Sequence, residues 1–376
     1  MSSSGHSIGQ TLFVLCVLAL CCGCGASGSS TSPSIPGFHS TGALTVNRTF
    51  HTATLLNDGR VLIAGGVTGS NSRTASAEIY DSARGKFQAT ASMITPRQGH
   101  VAVLLNSGLV LIAGGYDASS VVSSAELYDP IANAFRATGS MGTARGEAAA
   151  VMLADGKVLI TGGFDGSGNS ISGTEIYDPS SEAFQSAASM LTARASHAAA
   201  VVGSKVLVAG GLSPGFSNVI SSAEIYDPIA NQFSTIGSMS DSRSNLPPPV
   251  GLPNGNFLLI GGLDNAAAEV ENSTSCDAYD PTTQKFTLAL NLSIGRSFHT
   301  ATLLADGRIL VAGGLANGTA LSMASAELLN PASMTTTSAG NMITARGGHT
   351  ATLLPNGNVL IAGGGSGGAN AELYVP

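Results

Sequence analysis

The dipeptide Gly-Gly closes an apolar run seven times in this chain. The pairs are Gly65-Gly66, Gly114-Gly115, Gly162-Gly163, Gly210-Gly211, Gly261-Gly262, Gly313-Gly314 and Gly363-Gly364, at intervals of 48 to 52 residues. A period of this length marks a chain built from repeated supersecondary units, each stable only when stacked on its neighbours. It also sets how other residues are read. Residues that recur in the repeat frame hold the fold, and departures from the frame carry the information about function.

The repeat from Arg145 to Met190 shows the unit. An alternating apolar stretch follows Arg145, and the turn Ala154-Asp155-Gly156 leads into Val158-Leu159-Ile160 and Gly162-Gly163. After a polar loop come Thr174-Glu175-Ile176-Tyr177, the turn Asp178-Pro179 and a short run at Phe184. These are four runs of strand length separated by turn signals, A to D, and no segment holds a 3.6 period over a helical length. The chain reads as all-β.

This pattern resembles the kelch repeat, a four-stranded blade of a β-propeller. Gly-Gly after an apolar strand, Tyr-Asp-Pro in strand C and the downstream Arg carry the resemblance across almost all of residues 38–376. Kelch blades commonly place Trp in strand D. This chain has no Trp and uses Phe87, Phe135, Phe184, Phe233 and Phe286, with Thr336 in the sixth repeat. The resemblance implies seven four-stranded blades in one domain, 38–376. The last repeat lacks strand D, and Phe38 to Leu44 followed by Arg48 aligns with Phe135 to Met141 followed by Arg145. An N-terminal strand is therefore expected to complete the last blade, which removes a sheet edge and ties both ends down.

Two in-frame sets of opposite charge stand out. Arg48, Arg97, Arg145, Arg194, Arg243, Arg296 and Arg346 match Glu78, Glu126, Glu175, Glu224, Asp277, Glu327 and Glu372. Such matching predicts a structural ring of buried pairs; the competing reading is an arginine-lined pocket for a carboxylate ligand. His51, His100, His197, His299 and His349 also recur, with Ala148 and Leu246 in the other two repeats. Recurrence at one strand position reads as packing rather than metal binding, and no metal or cofactor is expected. Cys276 falls where five repeats have Ala and reads as a small buried thiol.

The connections after strands D and B share one face of such a propeller. That face carries the variable loops, where binding usually resides. The off-frame binding candidates on it are Tyr116, Asp117, Asp165, Asp264, Glu269 and Glu271. Asp165 to Asn169 resembles part of a calcium loop but lacks the later Glu. The fifth repeat departs furthest from the frame. It carries Pro247-Pro248-Pro249 in strand A, where proline removes ladder donors. It also has the longest B-to-C loop, Leu263 to Ser275, with the acidic group Asp264, Glu269 and Glu271.

Copper-radical oxidases also carry their site on a seven-bladed kelch-like domain, and His51 and His299 begin stretches similar to their strand A–B pattern. That chemistry needs two Tyr, two His and a Cys cross-linked to one Tyr. Here every Tyr but Tyr116 lies in the strand-C frame, as does Cys276. Periplasmic kelch epimerases of sialic acid share the fold with fewer blades, and no catalytic set particular to them stands in this chain. No catalytic residue is therefore assigned. The expected function is a monomeric scaffold binding a protein or glycan. The alternatives are a carbohydrate-active enzyme or oxidase on the same fold, and an envelope protein without a ligand. With a net charge of −7 and charged residues only 10% of the chain, no basic surface for nucleic acid is present.

Residues 1–24 read as a leader. Ile8 to Cys22 is nearly all apolar and short for a membrane span. Leu20-Cys21-Cys22-Gly23-Cys24 resembles a bacterial lipoprotein signal, which implies lipidation of Cys24, a tether over 25–37 and an extracytoplasmic location anchored through lipid. Secretion without lipid is the alternative. Bacterial expression with labelled palmitate should label the wild-type chain and leave Cys24→Ala unlabelled; label persisting in the variant refutes Cys24 as the acceptor.

Overall fold

The computed structural model describes residues 35–214, 218–264, 271–316, 321–365 and 369–376. The strands follow the turn punctuation of the sequence. In the third repeat, strand A is Ala149–Met152, B is Val158–Thr161, C is Thr174–Asp178 and D is Ala183–Ala187. They pair in chain order as an antiparallel sheet. Seven such four-stranded sheets form the blades of a β-propeller, and residues 36–376 make up one unit. The A strands of blades five, six, seven, one, two, three and four pack successively against one another around the axis, so strand A is the inner edge.

Strand B is almost entirely apolar because both its faces are covered. Val110–Ala113, for example, is wholly buried. Leu62, Ala64 and Ile79 of blade one pack against Val110, Ile112 and Tyr128 of blade two, and each blade interface repeats this layer. Burying such side chains contributes about 1.5–3 kcal/mol each. Strand D is largely exposed, and its Phe leans on the strand-C Tyr with ring centroids 4.7–5.0 Å apart. In blade six Thr336 stands opposite Leu329 instead.

The Gly-Gly pair is the joint between blades. Gly65 and Gly66 both have positive φ, 67° and 99°, a region that suits glycine. A Cβ on Gly65 would lie 2.5 Å from the Arg97 carbonyl oxygen of the next blade, and one on Gly66 would lie 2.6 Å from the Thr49 carbonyl. The space left free lets the Gly66 N–H donate to the Arg97 carbonyl at 2.8 Å. The same bond runs from each second glycine to the next blade's Arg, ending with Gly364 to Arg48.

The circle closes as the sequence predicts. Gly37–Ser40 pairs with Ala371–Val375 as strand D of blade seven, with Phe38 opposite Tyr374 at 5.0 Å between ring centroids. The following residues bridge to blade one. The Thr41 and Tyr80 hydroxyls hydrogen-bond at 2.7 Å, the Gly42 N–H donates to the Gly85 carbonyl, and Leu44 is buried beside Val61 and Tyr80. In blade five the proline run lies outside the ladder and strand A shrinks to Val250–Gly251. Deleting residues 25–44 should lower the melting temperature sharply, whereas deleting 25–36 should leave it near wild type; equal values for both deletions contradict closure by this strand.

Candidate binding site at the channel mouth

Each in-frame Arg stands at the connection from strand D to the next strand A and is at most 2% exposed. Its side chain turns into its own blade. Arg48 donates from Nη1 to the Gly65 and Ser76 carbonyls at 2.8 Å and from Nη2 to Glu78 at 2.9 Å. Six Arg–Glu pairs have this form, at 2.7–2.9 Å. The second Glu oxygen accepts a backbone N–H of the same connection, as from Ile94 to Glu126 at 2.7 Å. Blade five pairs Arg243 with the shorter Asp277, which also accepts from the Ser240 N–H and hydroxyl. Burial lowers the pKa of Arg48 against the opposing pull of Glu78. The arginines are thus consumed in structure, with no guanidinium turned to a ligand.

Two positions after each Arg the chain meets the axis. The residues there are Phe50, Gly99, Glu147, Ser196, Asn245, Phe298 and Gly348. All seven have positive φ, and the five that are not glycine fall at 51–53°. Each donates its N–H to the carbonyl of the preceding blade's counterpart at 2.8–3.3 Å, from Gly99 to Phe50 onward, and Phe50 donates to Gly348. Seven residues therefore form a closed ring of backbone hydrogen bonds around the channel. Blades two and seven build it with glycine, so the ring itself needs no side chain. The other five carry side chains in a conformation that costs of order 1 kcal/mol each.

These side chains divide the mouth into two arcs. Phe50 and Phe298 of blades one and six meet edge to face, centroids 5.6 Å apart, with Gly348 between them leaving room for the Phe50 ring. Glu147, Ser196 and Asn245 of blades three to five form the polar arc, and the Ser196 hydroxyl donates to the Glu147 carboxylate. Together with Gln98 and His51, His197, His299 and His349 they line a cavity of 390 Å³. Glu147 opens to solvent within this mouth, yet the surrounding walls desolvate it and raise its pKa, against the opposing hydrogen bond from Ser196. Its charge and, first, burial raise the pKa of Tyr116, whose ring lies against Gly99 and Gly146.

The histidines are packing residues with one lateral bond. His51, His100 and His349 place Nε2 2.9–3.0 Å from the hydroxyls of Thr350, Thr52 and Thr300 of the preceding blades, and His197 uses Thr161. For His299 the matching residue of blade five is Pro247, which offers no hydroxyl. Burial, then the neighbouring arginine, pushes His100, His197, His299 and His349 down to about 3.

The five described sequence candidates do not converge on this mouth. Tyr116, Asp117 and Asp165 border a separate 420 Å³ groove between the B-to-C loops of blades two and three. Asp117 accepts the N–H groups of Ser119 and Ser120, and Asp165 those of Ser167 and Asn169. Both carboxylates cap their own loops, which accounts for the calcium-like spacing at Asp165. Asp264 stands opposite Glu271 in a two-stranded ribbon and accepts from Ser242. Glu269 lies outside the described residues. The ring side chains escaped the sequence reading. The available signal was a fixed offset from Arg at which residue type changes from blade to blade.

Residues 147–191 and 193–240 match the family model of the Kelch motif. No curated protein matches the chain in sequence. Among solved structures the chain is similar to YjhT, at 15% identity and a TM-score of 0.63 over 79% of this chain and 98% of that one. It is also similar to a fungal alcohol oxidase of the AA5 family solved in complex with copper, at 16% identity and a TM-score of 0.73 over 91% and 77% of the two chains. Likeness at these identities shows a shared fold. The described residues do not fit a copper site. Among the described residues no group of three or more His, Cys, Asp or Glu could hold a metal ion, and Cys276 is buried among Ile260, Leu290 and Val311 of a blade core.

The buried histidines make stability depend on pH. Their folded pKa lies below the unfolded value of 6.5, so the unfolded chain takes up protons first as pH falls. Stability is full above about pH 6.5 and declines toward pH 3, by up to about 1.4 kcal/mol per pH unit for each histidine. Denaturant unfolding at pH 7 and pH 4.5 should show this loss. His299→Leu, the residue blade five carries at this position, should reduce it; an unchanged pH slope in that variant contradicts the assignment.

Proposed function

We propose that this chain, a seven-bladed kelch β-propeller, is a non-catalytic scaffold that binds a protein or glycan ligand at its channel mouth. We place it outside the cytoplasm, held to a membrane through lipid on Cys24. The observation that carries the binding reading is the division of the peptide ring into an aromatic arc, Phe50 and Phe298, and a polar arc, Glu147, Ser196 and Asn245. Few polar groups set on an apolar wall in a cavity of this size is the usual make-up of a ligand site. The ring fixes the backbone beneath each side chain, so the arcs are preorganised. Glu147 is the one carboxylate lining the mouth, with no Lys or Arg beside it, and burial lowers the pKa of the four histidines there, so none of them is poised as its acid–base partner near neutral pH.

A glycan and peptide array should yield a ligand whose affinity falls about tenfold or more in Phe50→Ser and in Asn245→Ala, since a lost aromatic contact or buried hydrogen bond costs about 1–3 kcal/mol. Exchanging the 263–275 loop for the 116–123 loop tests whether blade five adds contacts beyond Asn245. A ligand that binds both point variants as tightly as the wild type places the site elsewhere.

A further inference from the structure

A second cavity of 220 Å³ lies in the channel beside the mouth and shares Ala148, His197 and Leu246 with it. Its wall is formed chiefly by Ala148, Ala149, Ala198, Ala199, Leu246 and Pro248. Blades one, six and seven carry Thr52, Thr300 and Thr350 just after the histidine position, whereas blades two to five carry Val101, Ala149, Ala198 and Pro247. The apolar chamber therefore lies on blades two to five, three of which bear the polar arc. Glu147 immediately precedes Ala148 in the chain, so a carboxylate at the ring and an apolar recess stand next to each other. Glu147 is also the one charged side chain lining the mouth, with no Lys or Arg among those residues. The histidine beside the chamber, His197, is bonded to Thr161.

We infer that the ligand is the free N-terminus of a polypeptide whose first residue has an apolar side chain, its ammonium held at Glu147 and that side chain lodged among the alanines. The inference rests on the reading of the mouth as a binding site and narrows it to one partner chemistry. An α-ammonium and a side chain share one carbon, which matches a carboxylate and a recess that adjoin. A lysine side chain entering end-on would carry its charge into the alanine wall. An amino sugar would place hydroxyls there. A free amino acid brings a carboxylate that meets no Lys or Arg at the mouth. A peptide replaces that carboxylate with an amide, for which the Asn245 and Gln98 side chains offer donors and acceptors, and the Phe50 and Phe298 rings take the second residue. N-terminal amine capture of this kind is a known mode of peptide recognition.

The test uses the full chain and hexapeptides Leu-Gly-Ser-Gly-Ser-Gly labelled at the C-terminus, with binding read by fluorescence anisotropy. The free peptide should bind, and both its Nα-acetylated form and a Gly-first analogue should bind about tenfold more weakly or worse, as expected for a lost charged hydrogen bond or a lost buried side chain. In Glu147→Gln the free and acetylated peptides should converge. In Ala198→Val the Leu-first and Gly-first peptides should converge while discrimination against acetylation persists. Thermal melts confirm that both variants fold. Equal binding of free and acetylated peptide to the wild type overturns the inference. So does a glycan ligand that depends on Phe50 with no peptide binding, which leaves the scaffold reading standing. Binding of neither peptides nor arrayed glycans at the mouth overturns both.

Discussion

The contact on which the propeller depends is the hydrogen bond from the second glycine of each Gly-Gly pair to the arginine carbonyl of the next blade. It forms only because the first glycine has no Cβ to strike that same carbonyl. The arginine side chain then turns back into its own blade and ties strand A to the loop after strand B and to the strand-C acid. One residue thus joins a blade internally with its side chain and externally with its backbone. Because the Arg–acid pair is buried, removing one partner would strand a charge and cost about 3–5 kcal/mol. That penalty suits a closed ring, in which opening one interface exposes the apolar layers on both sides.

Much of this architecture was legible in the sequence because it is periodic. The glycine pairs, the matched Arg and acid series, and the alignment of Phe38 with Phe135 led to seven blades and to closure by the N-terminal strand. The mouth was not legible for the converse reason. Phe50, Glu147, Ser196 and Asn245 share nothing but an offset from Arg, and only the ring of backbone bonds brings them together. Asp117 and Asp165 drew attention as off-frame acids, but a short acid followed by Ser or Gly is also what a self-capping loop requires.

Blade five shows how one irregularity spreads. Pro247 takes the position of a threonine and shortens strand A, and His299 of the next blade loses the hydroxyl its counterparts use. Asp277 replaces Glu and recruits Ser240 to span the shorter reach to Arg243. These changes lie along one side of the channel, the side on which the polar arc and the alanine chamber are found. The blade that fits the repeat least is thus the one whose inner edge contributes Asn245, Leu246 and Pro248 to the two cavities.

The peptide ring has an electrostatic consequence. Its seven N–H···O=C bonds run the same way around the circle, so with one like bond per blade their components in the plane of the ring cancel. A helix end or a nest of amides leaves N–H groups free to aim partial charge at a ligand; here the ring's N–H and C=O groups satisfy one another. The sign of the potential at the mouth is left to the single ionisable side chain that stands free of a counter-charge on the ring, and one substitution there could change the kind of ligand admitted without touching a bond of the scaffold.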